Sequence, residues 1–136
     1  MKATSTELQK EYVRLLNGNV SGAVYDQVPE NPSYPYVQIG NQTGVDYSDK
    51  TSQGEEKTQT LWIVDRYSGS FGDRGNVYTL ENEILGIICD RPIEFDLDGF
   101  NMIQSVLDLS NFSIERTETH TYFRIEMRFR HEIEEL

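Results

Sequence analysis

The stretch Tyr122-Phe123-Arg124-Ile125-Glu126-Met127-Arg128-Phe129-Arg130 holds the most regular pattern in the chain. Phe123, Ile125, Met127 and Phe129 alternate with Tyr122, Arg124, Glu126, Arg128 and Arg130. Successive side chains of a strand point to opposite faces, so this spacing puts one apolar row inward and one charged row outward. A helix would scatter the same residues around its whole circumference. A half-buried strand with a charged outer face is the signature of an antiparallel sheet that meets solvent on one side.

Working outward from that strand, Thr117 to His120 reads as a turn and Phe100 to Glu115 as a second extended segment, bent near Ser110-Asn111. Glu132, Glu134 and Glu135 read as an acidic tail beyond the strand. Upstream, Val77, Leu80, Ile84, Ile87 and Ile88 recur on one helical stripe, with Asp73 placed as N-cap and Pro92 as stop. Ser68 to Gly75 is a glycine-rich loop before it. Thr58 to Tyr67 carries apolar residues on both faces, which predicts a central strand covered on both sides. Tyr36 to Ile39 and Ala23 to Val28 read as two short strands around a three-proline segment, Pro29 to Pro35. Leu8, Tyr12, Leu15 and Leu16 mark an N-terminal amphipathic helix over roughly residues 5–17. Thr4 and Glu7 have the spacing of a capping box, and Gly18 falls where a left-handed residue closes the helix. The predicted element order is α-β-β-β-α-β-β: an α+β fold, a mostly antiparallel sheet packed with two helices, with residues 1–136 forming a single domain.

Between the second and third strands, Asn41 to Glu56 is almost wholly polar. Its length suits a functional or mobile connection. Gly44, Asp46, Tyr47, Asp49, Lys50 and Gly54 are therefore expected in a mobile assembly loop that orders against another chain.

The net charge of −11, from 23 acidic and 12 basic residues, argues against a protein that grips nucleic acid through clustered lysine and arginine. Two readings of the acidity stand: solubility, or a surface past which nucleic acid slides without sticking. Cys89 is the only cysteine, so no intramolecular disulfide can form. No apolar run reaches the length of a membrane span or a signal segment, which places the chain in the cytoplasm or in something assembled there.

A search for chemistry returns little. Gly69, Gly72 and Gly75 match neither the dinucleotide nor the P-loop fingerprint, and Asp73 would repel a phosphate there. Asp96 and Asp98 lack the glycine and the final glutamate of a calcium loop. His120 and His131 read as surface residues and, with Cys89, match no zinc spacing. No catalytic residue, cofactor site or metal site is assigned; the expectation is a protein that is not an enzyme. A rival reading makes Tyr25, Tyr34 and Tyr36 the lining of a small-molecule pocket beside the proline loop, against the plainer one of tyrosines that pack strands.

With these elements in order, the sequence resembles the tail completion (tail terminator, tail-to-head joining) proteins of long-tailed bacteriophages. The likeness is carried by the helix ending in Leu15-Leu16, by Ala23-Val24-Tyr25-Asp26-Gln27-Val28-Pro29 and by Tyr34-Pro35-Tyr36-Val37-Gln38-Ile39-Gly40. The strand around Leu61-Trp62-Ile63-Val64, the helix from about Asp73 to Cys89 and the closing strand complete it. The resemblance implies a structural virion subunit, assembled in the host cytoplasm, that closes into a ring, typically a hexamer, at the head-proximal end of a tail tube. Such a ring ends tube polymerisation, meets the tube protein and the head connector as partners, and lets DNA pass through its lumen without specific binding. No membrane and no cofactor are implied. Another neck, connector or tail-tube subunit, or a small non-viral ligand-binding domain, is the alternative.

For a ring subunit, two features stand out as interface candidates. The predicted sheet has more strand edge than two helices can cover, and exposed edges invite pairing between chains. Arg124, Arg128 and Arg130 form a basic row on one strand face, to be opposed by a neighbour's Glu132, Glu134 and Glu135. The plain alternative is a solvated sheet face, because exposed ion pairs are weak.

Overall fold

The computed structural model describes residues 4–46, 53–89 and 94–136. Its elements are α1 (Ser5–Leu16), β1 (Ala23–Tyr25), β2 (Tyr36–Asp46), β3 (Gly54–Ser68), α2 (Gly75–Ile88), β4 (Phe100–Arg116) and β5 (His120–Glu135). The α+β order is the expected one. The strands form one sheet in the order β1-β2-β3-β5-β4, antiparallel except where β1 runs parallel to β2.

The closing strand sets the two faces of this sheet as its alternation requires. Phe123, Ile125, Met127 and Phe129 are buried, and they face Leu61, Ile63 and Val37 from the neighbouring strands. Leu8, Tyr12, Leu15 and Leu16 of α1 and Val77, Leu80, Ile84 and Ile88 of α2 close this core from the same side. Both helices therefore lie on one face, and the prediction that β3 is covered on both sides fails. Its buried positions alternate with half-exposed ones such as Thr60 and Trp62. Val64 is buried on the open face, outside the helix-covered core, between its cross-strand partners Tyr36 and Arg124. Apolar residues on both faces of β3 are thus explained by cross-strand packing rather than by a second helical layer.

Several local expectations are corrected. Thr4 makes no capping bond; its hydroxyl donates instead to Glu55 Oε1 at 2.8 Å, a tertiary contact that replaces the capping box. Gly18 does take the left-handed conformation, with φ of 81°. Arg74, not Asp73, occupies the N-cap of α2, while Asp73 Oδ1 accepts the Gly75 amide one position later. Pro92 lies outside the described residues, and α2 has ended by Ile88. The register of β4 slips at Met102/Gln104 and Leu107/Leu109, the second just ahead of the bend expected near Ser110-Asn111, where pairing is itself continuous.

The described part of the long polar segment, residues 41–46 and 53–56, is strand except for Gln53. Gly44 and Asp46 belong to β2, and Gly54 opens β3, in register with one another through Asp46↔Glu55. Polarity alone does not decide against a strand when one neighbour supplies a complete ladder of backbone bonds. Tyr47, Asp49 and Lys50 lie outside the described residues. Glu132, Glu134 and Glu135 likewise form no tail: they continue β5, where Glu134 pairs with Gly54 on one side and Asn101 on the other.

Candidate assembly surfaces

The outward face of the sheet is where the arginine row sits. Arg124, Arg128 and Arg130 each stand beside an acid of the same chain. Arg124 Nη1 is 2.6 Å from Glu115, Arg128 Nη2 is 2.7 Å from Glu126, and Arg130 Nε is 3.8 Å from Asp108. Strand pairing explains the first and third: β4 lies next to β5 and carries Glu115 and Asp108 on this face. The three arginine side chains stay 39%, 50% and 42% exposed, so these pairs contribute little to stability and leave each guanidinium reachable. Of the acids expected to face them, Glu132 and Glu134 share the outward parity of β5, whereas Glu135 turns the other way, with Oε2 buried.

Aromatic rings cover the same face nearer β1. Tyr36 packs edge-on against Tyr25 and at a tilt against Tyr34, with ring centroids 5.6 and 5.3 Å apart, and Arg66 lies 4.5 Å over the Tyr34 ring. Burial raises the pKa of Tyr36. The three tyrosines thus pack on one another. The cleft beside them, lined by Tyr36, Gln38, Trp62, Val64 and Arg124, measures about 210 Å³, small against the few hundred usual for a ligand site. A larger surface groove of about 760 Å³ runs between the helices, bordered by Arg14, Asn19, Glu83, Ile87 and Glu94.

Under α1 the inward face becomes polar. His131 is fully buried, contrary to the surface position expected for it. Its Nε2 meets the Tyr12 hydroxyl and its Nδ1 the Ser105 hydroxyl at 2.7 Å, while Tyr12 and Phe95 pack against the ring. A neutral imidazole satisfies both hydroxyls, donating to one and accepting from the other. Burial lowers its pKa to about 3 and drives that of Tyr12 well above the ordinary range. Beside it, Lys57 Nζ donates to Ser5 Oγ at 2.9 Å and lies 3.4 Å from Glu55. The alternation of β5 already contained this signal, since His131 shares the odd parity of Phe123 to Phe129. His120, at the other end of β5, is partly exposed and bonds Thr119. Among the described residues no group of histidine, cysteine and carboxylate side chains is placed to hold a metal ion.

One further link ties α1 to the chain before β4. Glu11 accepts two bonds from Arg14 at 2.7 and 2.9 Å and one from the Asp96 amide. The bond to Arg14 above all holds its carboxyl below the usual range. Cys89 at the C-cap of α2 is half-buried against the core.

Residues 11–134 match the family model described as tail completion protein gp17. The chain belongs to that family. It is a structural subunit of a phage-type tail, and nearly all of its fold lies within the match. A chain of a solved structure described as the virion of a native gene transfer agent (GTA) particle has the same fold. The TM-score is 0.79 at 18% sequence identity, with 98% of this chain and 99% of that chain covered. Comparison with curated proteins finds no matching sequence. Among the described residues no helix is long and apolar enough to cross a membrane.

Proposed function

We propose that this tail completion protein closes into a ring, a hexamer being the expected size, at the head-proximal end of a tail tube. There the ring ends tube polymerisation and presents a docking surface to the head connector. The observation that carries the reading is the family match across residues 11–134, which covers five of the seven elements whole, β5 but for Glu135, and α1 from its middle. Two features of the molecule support it. The sheet is open on one face and at both edges among the described residues, leaving surface for two kinds of neighbour. The net charge of −11 suits a subunit whose ring must let DNA pass without holding it.

In this reading the outward arginines and the carboxylates Glu132 and Glu134 register one subunit against the next, and the β2–β3 hairpin reaches a neighbouring subunit or the tube. The test is native mass measurement and electron microscopy of the purified chain, alone and mixed with growing tail tubes. Closed rings that cap tubes and stop their growth support the proposal. Open-ended stacks of the chain itself would make it a tube subunit instead. A protein that stays monomeric and leaves tube growth unchanged would refute it.

A further inference from the structure

Among the described residues the sheet ends in two strands with no partner on their outer side, and the directions of these edges are complementary. Strand β4 is an edge strand: β5 pairs with one side of it, and among the described residues no backbone bond reaches the other side of residues 101–116. Folded proteins protect such edges with bulges, charges, proline or a covering segment. The first half of β4 has such protection in its two register slips, and Asp108 lies within the second of them. Leu109-Ser110-Asn111-Phe112-Ser113-Ile114 has no bulge, charge or proline of its own and keeps unbroken register with β5. α2 reaches its inward side through side chains, Glu81 to the Ser110 hydroxyl and Arg74 and Tyr78 to the Phe112 ring, which leaves the backbone edge free of a partner strand among the described residues. The opposite edge is made by β1 and, where β1 ends, by the exposed stretch Thr43 to Val45 of β2.

Strand direction decides what can pair with what. β2 is antiparallel to β3, β3 to β5, and β5 to β4, while β1 follows β2. β4 therefore runs opposite to both strands of the far edge. A rotation about a ring axis lying roughly along the strands preserves strand direction in every copy. It places β4 of one subunit antiparallel to the β1–β2 edge of the next. The levels also correspond: the row Ala23↔Tyr36↔Val64↔Arg124↔Ser113 crosses all five strands, so Ser113 and Ala23 sit at the same height on opposite edges.

We propose that the uncharged segment of β4, Leu109 to Ile114, pairs antiparallel with the β1–β2 edge of a second copy of this chain. The contact is heterologous, so each subunit uses one edge on each side and the sheets join into a continuous closed wall. Pairing between chains through backbone bonds also explains why this edge needs no particular side chains. The inference deepens the ring reading above and rests on it.

The test is oxidative cross-linking of full-length protein in a Cys89→Ser background, with positions outside the buried core chosen so that folding is retained. Ser113→Cys or, to allow for strand tilt, Asn111→Cys is combined with Ala23→Cys. The expected result is a loss of most monomer into a covalent ladder that ends at the closed oligomer, seen only when both edges carry cysteine. Equal cross-linking by Ser113→Cys alone would mean that β4 meets β4 across a two-fold axis, which overturns the proposal. Rings that form by microscopy yet cross-link with neither pair would overturn the edge contact and leave the ring itself standing. Absence of any oligomer would remove both.

Discussion

The two faces of β5 are built from the same sixteen residues and serve opposite ends. Inward, Phe123, Ile125, Met127, Phe129 and Ile133 are at most 5% exposed and meet both helices or their neighbouring strands. Outward, the arginines are balanced by carboxylates of the same chain and remain open to solvent. An apolar face cannot change without loss of the core, whereas a face of locally balanced exposed charges can change freely unless another chain reads it. Folding information therefore sits on one parity of the strand, and the other parity is available to assembly. The largest effect should come from crossing that division. Met127→Asp puts a carboxylate into a fully buried apolar site, and the expected loss is roughly 4 kcal/mol or more, enough to unfold most small domains. Arg128→Asp, the next residue, should move the urea midpoint by less than about 1 kcal/mol equivalent. Equal losses would mean that the faces are assigned one residue out of register.

His131 breaks the apolar rule of the inward face, and pH tests how. Its folded pKa of about 3 lies below the ordinary 6.5, so the fold favours the neutral ring. The stability this contributes is complete above pH 6.5 and is lost as pH falls from there toward 3, because the unfolded chain then binds a proton that the folded chain refuses. At about 1.4 kcal/mol per pH unit, the loss across that window is of the order of 3 to 5 kcal/mol. Glu11, whose folded pKa is also lowered, pushes the same way at the acid end, where its carboxylate must be protonated. Urea unfolding of the wild type between pH 7 and 4 should show a steep fall that His131→Gln largely removes. A parallel fall in the variant would assign acid sensitivity to the carboxylates instead.

A smaller contrast lies within the inward face, between its apolar half at Leu61 and Ile63 and its polar half at Lys57. Lys57→Met keeps much of the volume but removes the bond to Ser5 and the partner of Glu55. About 1 to 3 kcal/mol should be lost, the usual consequence of stranding a partly buried polar group. Amide exchange in α1 should rise first, since Ser5 opens that helix. A uniform loss of protection would show that the contact matters to the whole core rather than to the docking of α1.

How far the sequence reveals this molecule follows the same division. The alternation in β5 and the stripes Leu8–Leu16 and Val77–Ile88 expose themselves because each buried position is apolar. Where buried positions are polar, the pattern hides them. Lys57 and Gln59 continue the inward parity of Leu61, and His131 that of Phe129, but their residue types suggest a loop or a surface. Thr4 looks like a helix cap because its tertiary partner, Glu55, is 51 positions away and has no local signature. The proposed assembly surfaces are less legible still. Edge strands are defined by what is missing beside them, and only the strand order shows that Leu109 to Ile114 has no second strand beside it among the described residues.

The outward arginines offer the smallest effect on stability and the sharpest test of the division between the faces. Each loses an exposed ion pair on substitution, and Arg124 also its place 5.5 Å over the Tyr122 ring, so the double variant Arg124→Glu, Arg128→Glu should stay within about 2 kcal/mol of wild type in urea. Reversal turns the Glu115–Arg124 and Glu126–Arg128 pairs into like charges, and solvent screens that repulsion at an exposed surface. Subunit association is a different matter. A basic row opposed to a neighbour's carboxylates, Glu132 and Glu134 in the proposed ring, guides encounter and fixes register, so reversing two of its members places like charges across the contact. The expected outcome is a variant that unfolds like the wild type, yet needs a higher concentration or more salt to form rings. Raising salt should narrow the difference, because screening weakens the repulsion as well as the original attraction. If ring formation is unchanged at low salt, the row is a solvated face and registration must come from the strand edges alone. If instead the variant unfolds early, the ion pairs within the chain do more for the fold than their exposure allows, and the division between the two faces of β5 would fail.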